Sequence, residues 1–200
     1  MNKLLYKIQY RTVFIIIQLF NLDITRAFPK HSTRKAKKVF GNKPVKVLEI
    51  GTYKGWNAKS ILKELNVKEL YIIDPYEEYE DYLKAENNKT KKFMENCRKI
   101  AERRLFKWNN KLIWIKKKSG DAVNDIKDNS MDFIYIDGNH TYKYVLEDMN
   151  NYWPKLKKGG LFTGHDITNH RGVGEALFEF CKEKNITPII TKSCWIIIKE

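Results

Sequence analysis

The sequence of 200 residues contains only three cysteines, Cys97, Cys181 and Cys194. They show neither paired spacing nor a C-x-x-C pattern, so the sequence indicates neither a disulfide framework nor a zinc ribbon. Free thiols are typical of a reducing compartment, and we expect the protein to be cytoplasmic. A hydrophobic content of 42% excludes intrinsic disorder, and this length suits one domain with a sizeable core.

The chain also lacks an apolar run long enough to span a bilayer, which takes about 20 residues. Its most apolar stretch, 12–20, follows three basic residues as in a signal peptide, but no small-x-small cleavage site comes after it. We therefore expect no transmembrane span. We interpret the stretch as a helix that packs on the domain or caps its active site, and a helix on a membrane surface is the alternative.

Acidic residues are scarce at the N-terminal end. Residues 1–46 contain 11 lysines and arginines but one acid, Asp23, so this end holds most of the formal net charge of +14. The pattern predicts a basic helical arm or lid over 1–40, followed by one domain over 41–200. Such an arm could attract nucleic acid or an anionic membrane. It has no regular alternation of basic and aromatic residues, however, which favours compositional drift over nucleic-acid binding.

Residues 41–200 contain no internal repeat or low-complexity tract, and candidate strands alternate there with candidate helices. This alternation predicts a doubly wound α/β fold, with a mostly parallel seven-stranded sheet and helices on both faces. The expected strands cover 46–50, 69–74, 111–116, 131–137 and 161–164 (after a turn at 158–160), followed by a hairpin over 187–191 and 194–199. The expected helices cover 57–66, a basic segment ending near 106, 122–126, 141–151 and 173–183.

The most informative segment is Val47-Leu48-Glu49-Ile50-Gly51-Thr52-Tyr53-Lys54-Gly55, where an apolar run ends in an acid and a glycine turn. Helically spaced apolar residues follow, so the segment predicts the strand, turn and helix that open nucleotide-binding α/β folds. Gly51 and Gly55 can adopt positive φ and let a ligand approach the backbone. Glu49 would repel a pyrophosphate but attract a sulfonium or amino group, which favours S-adenosylmethionine over NAD. Glycine turns are also common in α/β proteins with other functions.

An acid stands at or just after the end of every predicted parallel strand, where ligands of open parallel sheets bind. These acids are Glu49, Asp74, Asp121, Asp137 and Asp166. Asp74 is placed to accept hydrogen bonds from ribose hydroxyls, and helix capping is its alternative role. Asp121 could bond an adenine amino group or cap the next helix.

Two polar segments, Asp137-Gly138-Asn139-His140 and Gly164-His165-Asp166, follow strands that we expect to be neighbours. Two carboxylates with imidazole suit a divalent cation; an oxygen-rich set favours Mg²⁺ or Mn²⁺, and more imidazole favours zinc or iron. A cation there could lower the pKa of a substrate hydroxyl, and His140 could take the proton. The alternative is that both histidines are structural and are held by neighbouring carboxylates.

Together with Ile73-Asp74-Pro75, the run 132–142 and Leu156-Lys157-Lys158-Gly159-Gly160, these motifs resemble class I S-adenosylmethionine-dependent methyltransferases. The resemblance covers about 41–200 and is closest to small-molecule O-methyltransferases of the macrocin and catechol type. The cofactor-binding residues that it implies are Glu49, Gly51, Thr52, Tyr53, Gly55, Asp74, Gly120, Asp121 and Ala122. It also implies a metal site at Asp137, His165 and Asp166, and catalytic roles for His140, Asn139 and Asp137.

Asn139 departs from the family pattern, since many relatives have Asp-Gly-Asp-His where this chain has Asp137-Gly138-Asn139-His140. The second Asp is the implied base in some metal-dependent sugar O-methyltransferases, and an asparagine cannot act as one. Either His140 takes the proton, or the metal alone suffices, or the chain methylates little. We expect metal-assisted O-methylation of a small hydroxylated substrate such as a sugar or natural product. A methyltransferase that targets nucleic acid through the arm and a degenerate cofactor-binding domain are the alternatives, and the sequence leaves a homodimer open.

Overall fold

The apolar runs of the domain form a single sheet in a computed structural model that describes residues 30–77 and 90–200. The strands are β1 Val45–Ile50, β2 Val67–Ile73, β3 Leu112–Ile115, β4 Met131–Ile136, β5 Leu156–Gly164, β6 Ile189–Thr191 and β7 Cys194–Ile198. The helices are α1 His31–Phe40, α2 Trp56–Glu64, α3 Lys91–Leu105, α4 Ser119–Ala122, α5 Tyr142–Tyr152 and α6 Arg171–Lys184. Short 3₁₀ segments cover Phe106–Lys111 and Val123–Asp125.

The seven strands lie in the order β3-β2-β1-β4-β5-β7-β6. Strands β1 to β5 pair in parallel, and β7 runs antiparallel to both β5 and β6. The predicted doubly wound, mostly parallel sheet is therefore confirmed. Because β2 and β3 extend the sheet on one side of β1 while β4 and β5 extend it on the other, a crevice opens beyond the carboxyl ends of β1 and β4.

Helices cover both faces of the sheet, which explains why β1 reads as a continuous apolar run. Val47 packs with helices α1 to α3 on one face, and Leu48 packs with α4 to α6 on the other. Both side chains are fully buried. The strands are thereby fixed from two sides, and their polar ends are held at one edge of the sheet.

Helix α1 packs onto the domain through Ser32, Thr33 and Ala36, all of which are buried. Ala36 shares a hydrophobic cluster with Val47 of β1. The helix is therefore part of the folded domain, and it fixes the backbone position of the residue before it, Lys30. The apolar stretch 12–20 lies outside the described residues. Within the described part of the chain, no helix has the length and apolar character needed to cross a membrane.

The sequence misplaced the start of the fifth strand. The predicted turn at 158–160 lies inside β5, which pairs Leu156 with Met131 and then Leu161 with Phe133. One residue of β4 therefore faces the four residues 157–160 of β5, and Gly159 absorbs this irregularity with a φ of +74°. Its N–H also donates to the carbonyl of Lys199, so the bulge is held by the far end of the chain.

Candidate active site

The glycine turn after β1 brings two loops of the sheet into backbone contact. Gly51 has a φ of +81°, and a Cβ at this position would lie 2.2 Å from the carbonyl oxygen of Asp137. No other residue type fits there without displacing the loop after β4. Gly55 also has a positive φ, but its Cβ position faces Ala101 of α3. Gly51 thus joins the two strand ends, while Gly55 lets α2 begin close to α3.

Asp74, at the end of β2, holds this turn in place. Its Oδ2 accepts hydrogen bonds from the backbone N–H groups of Thr52 and Tyr53, at 3.0 and 2.8 Å. Its Oδ1 accepts a third from the N–H of Tyr76 at 3.0 Å. These bonds fix the side chain, which is 6% exposed and lines the cavity described below. The ribose contact of Asp74 stays a prediction.

Glu49 lies behind the turn and is fully buried. Its Oε1 accepts a hydrogen bond of 2.7 Å from Asn57 Nδ2, and its Oε2 accepts one from Thr52 Oγ1. Burial raises the pKa of Glu49 to about 8, although the Asn57 hydrogen bond opposes this. The carboxyl is therefore mostly neutral at pH 7 in this arrangement, and a cation bound beyond Thr52 and Asn57 would favour its ionised form.

A cavity of about 620 Å³ opens beyond the carboxyl ends of the strands, a size typical of small-molecule sites. It is lined by the β1 turn, the start of α2, the end of β2, helix α4, the loop after β4 and two residues of α5. The predicted residues that line it are Gly51, Thr52, Tyr53, Asp74, Gly120, Asp121, Asp137, Asn139 and His140. Those outside its wall are Glu49, Gly55, Ala122, His165 and Asp166, of which Ala122 is fully buried in the core.

Asp121 sits in the third position of α4, and the residue that caps this helix is Lys118. The alternative role of Asp121 as a helix cap is therefore wrong. The residue lines the cavity, and its adenine contact stays a prediction.

Asn139 presents an amide to the cavity. Its Oδ1 accepts a hydrogen bond of 2.9 Å from the N–H of Thr141, which fixes the orientation of the amide just before α5. Its Nδ2 is buried and has no hydrogen-bond partner in the parts of the chain that the structure describes. The position therefore offers an unsatisfied donor, and a ligand oxygen would satisfy it.

The loops after β4 and β5 meet in an acid–imidazole cluster, formed by Asp137, His140, His165 and Asp166. The Nε2 atom of His140 lies 3.4 Å from Asp137 Oδ1 and 3.2 Å from Asp166 Oδ2. The Nδ1 atom of His165 lies 2.9 Å from Asp166 Oδ1. The predicted meeting of the two polar segments is therefore observed.

Each charged group of this cluster stabilises the ionised form of its neighbours. Burial alone would lower the pKa of His140, but its hydrogen bonds to Asp137 and Asp166 outweigh this and raise the pKa to about 9. Burial would raise the pKa of Asp137, yet His140 and Lys30 bring it below its usual value. The hydrogen bonds from His140 and His165 hold the pKa of Asp166 well below its usual range. At neutral pH the cluster thus contains two carboxylates and an imidazolium.

Two residues at this site could not be predicted from the sequence. Lys30, just before α1, places its Nζ 2.8 Å from Asp137 Oδ2 and lines the cavity. His170, just before α6, stacks on the His140 ring with centroids 4.4 Å apart. Neither stands near a strand end in the sequence, and Lys30 is one of many lysines in a basic segment.

The cluster has suitable donors for a divalent cation. The ligand atoms of Asp137, His165 and Asp166 lie within 4.8 Å of one another, as do those of His140, Asp166 and His170. Two carboxylates with one imidazole fit Mg²⁺ or Mn²⁺, whereas the second group, with two imidazoles, is closer to a zinc or iron set. The first group is the predicted one, and its occupation by a metal stays a prediction.

Comparisons with known proteins agree with this architecture. A model of the methyltransferase-domain family matches residues 48–167, from β1 through the loop after β5. An uncharacterised protein of Acanthamoeba polyphaga mimivirus is 24% identical over 143 residues, which are 70% of this chain. The matched segment spans 60% of the length of that relative.

Two solved structures show the same fold at low identity. A structure described as a putative caffeoyl-CoA O-methyltransferase from Staphylococcus aureus has a TM-score of 0.64 and 17% identity, covering 96% of this chain and 100% of that one. The O-methyltransferase NovP has a TM-score of 0.63 and 12% identity, covering 84% of this chain and 78% of that one. The chain therefore belongs to the methyltransferase-domain family.

Proposed function

We propose that this chain O-methylates a small hydroxylated substrate, such as a sugar or a natural product, with a divalent cation held by Asp137, His165 and Asp166. The observation that carries the proposal is that the β1 turn lines one cavity together with Asp137 and His140, and that Asp137 also belongs to the cation-binding group with His165 and Asp166. The two solved structures described above are named as O-methyltransferases, and this supports oxygen as the methyl acceptor.

S-adenosylmethionine, held by the β1 turn and Asp74, would supply a methyl group on a sulfonium; the S–CH₃ bond would break, an O–CH₃ bond would form, and the acceptor would lose its hydroxyl proton. The first contribution of the chain is to position the methyl donor and the acceptor. Gly51 and Asp74 fix the turn at the wall of the cavity, and Asp137 lies beside the turn, in backbone contact with Gly51. Orienting an acceptor against a donor in this way can supply about 7–11 kcal/mol of the barrier.

Asn139 and His140 have different tasks in this proposal. The free Nδ2 of Asn139 donates a hydrogen bond to an oxygen of a bound ligand. His140 holds Asp137 and Asp166 together while it is protonated. It can take the acceptor proton only in its neutral form, which this arrangement populates at pH values near or above 9.

The test uses Asp137→Asn, with Asp132→Asn as the matched control. Both residues are aspartates near β4, but Asp132 lies at the opposite end of the strand, where it holds Lys46 and Lys157. Hydroxylated small molecules, sugars first, are incubated with S-adenosylmethionine and either Mg²⁺ or a chelator, and S-adenosylhomocysteine is quantified. We expect Asp137→Asn to lose at least about 100-fold in turnover while it still binds the cofactor, and Asp132→Asn to keep its activity. Undiminished turnover in Asp137→Asn would contradict the assignment of the site.

A further inference from the structure

Lys30 reaches the acid–imidazole cluster from outside the sheet. Its Nζ lies 2.8 Å from Asp137 Oδ2 and 5.1 Å from the centroid of the Tyr135 ring. An ammonium group is attracted both by a carboxylate and by the face of an aromatic ring. The side chain is about 29% exposed and lines the cavity. The Lys30 ammonium therefore pairs with Asp137, a carboxylate that the candidate metal site requires.

Both oxygens of Asp137 are engaged in this arrangement. Oδ2 accepts from Lys30, and Oδ1 faces His140 at 3.4 Å. The same carboxylate belongs to the group whose ligand atoms lie within 4.8 Å of one another. A divalent cation bound to this group would stand within a few ångströms of the Lys30 ammonium. Like charges this close in a partly buried site repel strongly.

We propose that Lys30 and a divalent cation are mutually exclusive occupants of the position at Asp137. The ammonium is the counter-ion of Asp137 in the cation-free protein, and an incoming cation displaces it. The proposal rests on the proposed function in one respect, since it takes Asp137, His165 and Asp166 as the cation-binding group.

The exchange needs only a movement of the lysine side chain. The carbonyl of Lys30 accepts the N–H of Arg34 at 3.1 Å, so its backbone is tied to the first turn of α1. Helix α1 is in turn held by buried Ser32, Thr33 and Ala36. The long, partly exposed side chain of Lys30 can leave Asp137 for the cavity or for solvent while the helix stays docked. Lys30 thus lowers the affinity for the metal without being part of its ligand set.

The test measures Mn²⁺ binding to the full chain by electron paramagnetic resonance of the free ion, with titration calorimetry as a second readout. The variants are Lys30→Gln, Lys30→Arg and Lys118→Gln. Lys118 lines the same cavity at the start of α4, so its replacement removes the same charge from a different place. Asp137→Asn in the wild-type and Lys30→Gln backgrounds shows whether the ion measured is the one at the cluster.

We expect Lys30→Gln to bind Mn²⁺ about tenfold more tightly than the wild type, and Lys30→Arg and Lys118→Gln to bind it within about twofold of the wild type. Asp137→Asn should remove the gain. Equal affinities of Lys30→Gln and Lys118→Gln, or weaker binding by Lys30→Gln, would overturn the proposal, as would the absence of binding to every variant at millimolar Mn²⁺. S-adenosylmethionine binding is measured on the same samples. If S-adenosylmethionine still binds when the metal result is negative, the competition between Lys30 and a cation is refuted, and so is the cation site of the proposed function. The proposed methyl transfer is not refuted by that result.

Discussion

Replacing Glu49 with glutamine removes an ionisable group from the interior of the sheet. Burial raises the pKa of this carboxyl from 4.5 to about 8, against the opposing hydrogen bond from Asn57. Between these two pH values the folded protein keeps a proton that the unfolded chain releases. The stability that Glu49 contributes is therefore complete below pH 4.5 and is lost as the pH rises to about 8.

The size of the effect follows from the width of this window. Each pH unit within it costs about 1.4 kcal/mol of unfolding free energy. Between pH 5 and pH 8 the wild type should therefore lose about 4 kcal/mol through Glu49 alone. A glutamine keeps the oxygen that accepts from Asn57 Nδ2, and its amide can donate to Thr52 Oγ1. Buried Asp148, with a pKa raised to about 7 by burial, is common to both proteins and cancels from the comparison.

The assay is chemical denaturation of the wild type and of Glu49→Gln at pH 5, 6, 7 and 8, with unfolding monitored by circular dichroism. We expect the variant to gain about 4 kcal/mol relative to the wild type between the two ends of the series. Glu69→Gln is the matched control, because Lys46 lowers the pKa of Glu69 and its titration lies below pH 4.5. Parallel stability curves for the wild type and Glu49→Gln over this range would refute the reasoning.

Further predictions concern the turn and the cluster. Gly51→Ala should lose cofactor binding and about 3 kcal/mol of stability, because its Cβ would meet the Asp137 carbonyl at 2.2 Å. Gly41→Ala, also at positive φ but with nothing within 4 Å of its Cβ, should cost only about 1–2 kcal/mol and leave calorimetric binding unchanged. If neutral His140 takes the acceptor proton, turnover in a steady-state assay should rise with pH as the imidazolium loses its proton, and His140→Gln should abolish this rise. A cation on Asp137 and Asp166 weakens the contacts that raise the pKa of His140, so the rise with Mg²⁺ should be complete below pH 9. A flat wild-type profile would assign the proton to another acceptor.

Much of the fold could be predicted because each strand carries its own signal. The run Val47 to Ile50 is apolar and ends at a glycine turn, and the apolar runs that end at Asp74 and Asp137 located β2 and β4. The carboxyl ends of parallel strands share one edge, so the meeting of Asp137 with Asp166 also followed from order along the chain. The bulge at Gly159 could not be predicted, because a glycine pair indicates a bend but does not show whether the strand continues beyond it.

The parts of the site that the sequence missed depend on packing between distant segments. Lys30 reaches Asp137 across 107 positions of sequence only because Ala36 docks α1 onto the sheet. His170 meets His140 through the placement of α6 beside α5. The complete burial of Glu49 could not be predicted either. Both faces of a parallel strand are covered by helices, so odd and even positions are buried alike, and alternation does not show which side chain faces the cavity.

The most direct test of the central claim is calorimetric titration of the full chain with S-adenosylmethionine and with S-adenosylhomocysteine, with and without Mg²⁺. The account predicts micromolar binding of both compounds to the wild type and none to Gly51→Ala, while Gly41→Ala binds as the wild type does. Absence of binding to the wild type under all of these conditions would contradict the assignment of this cavity to the cofactor.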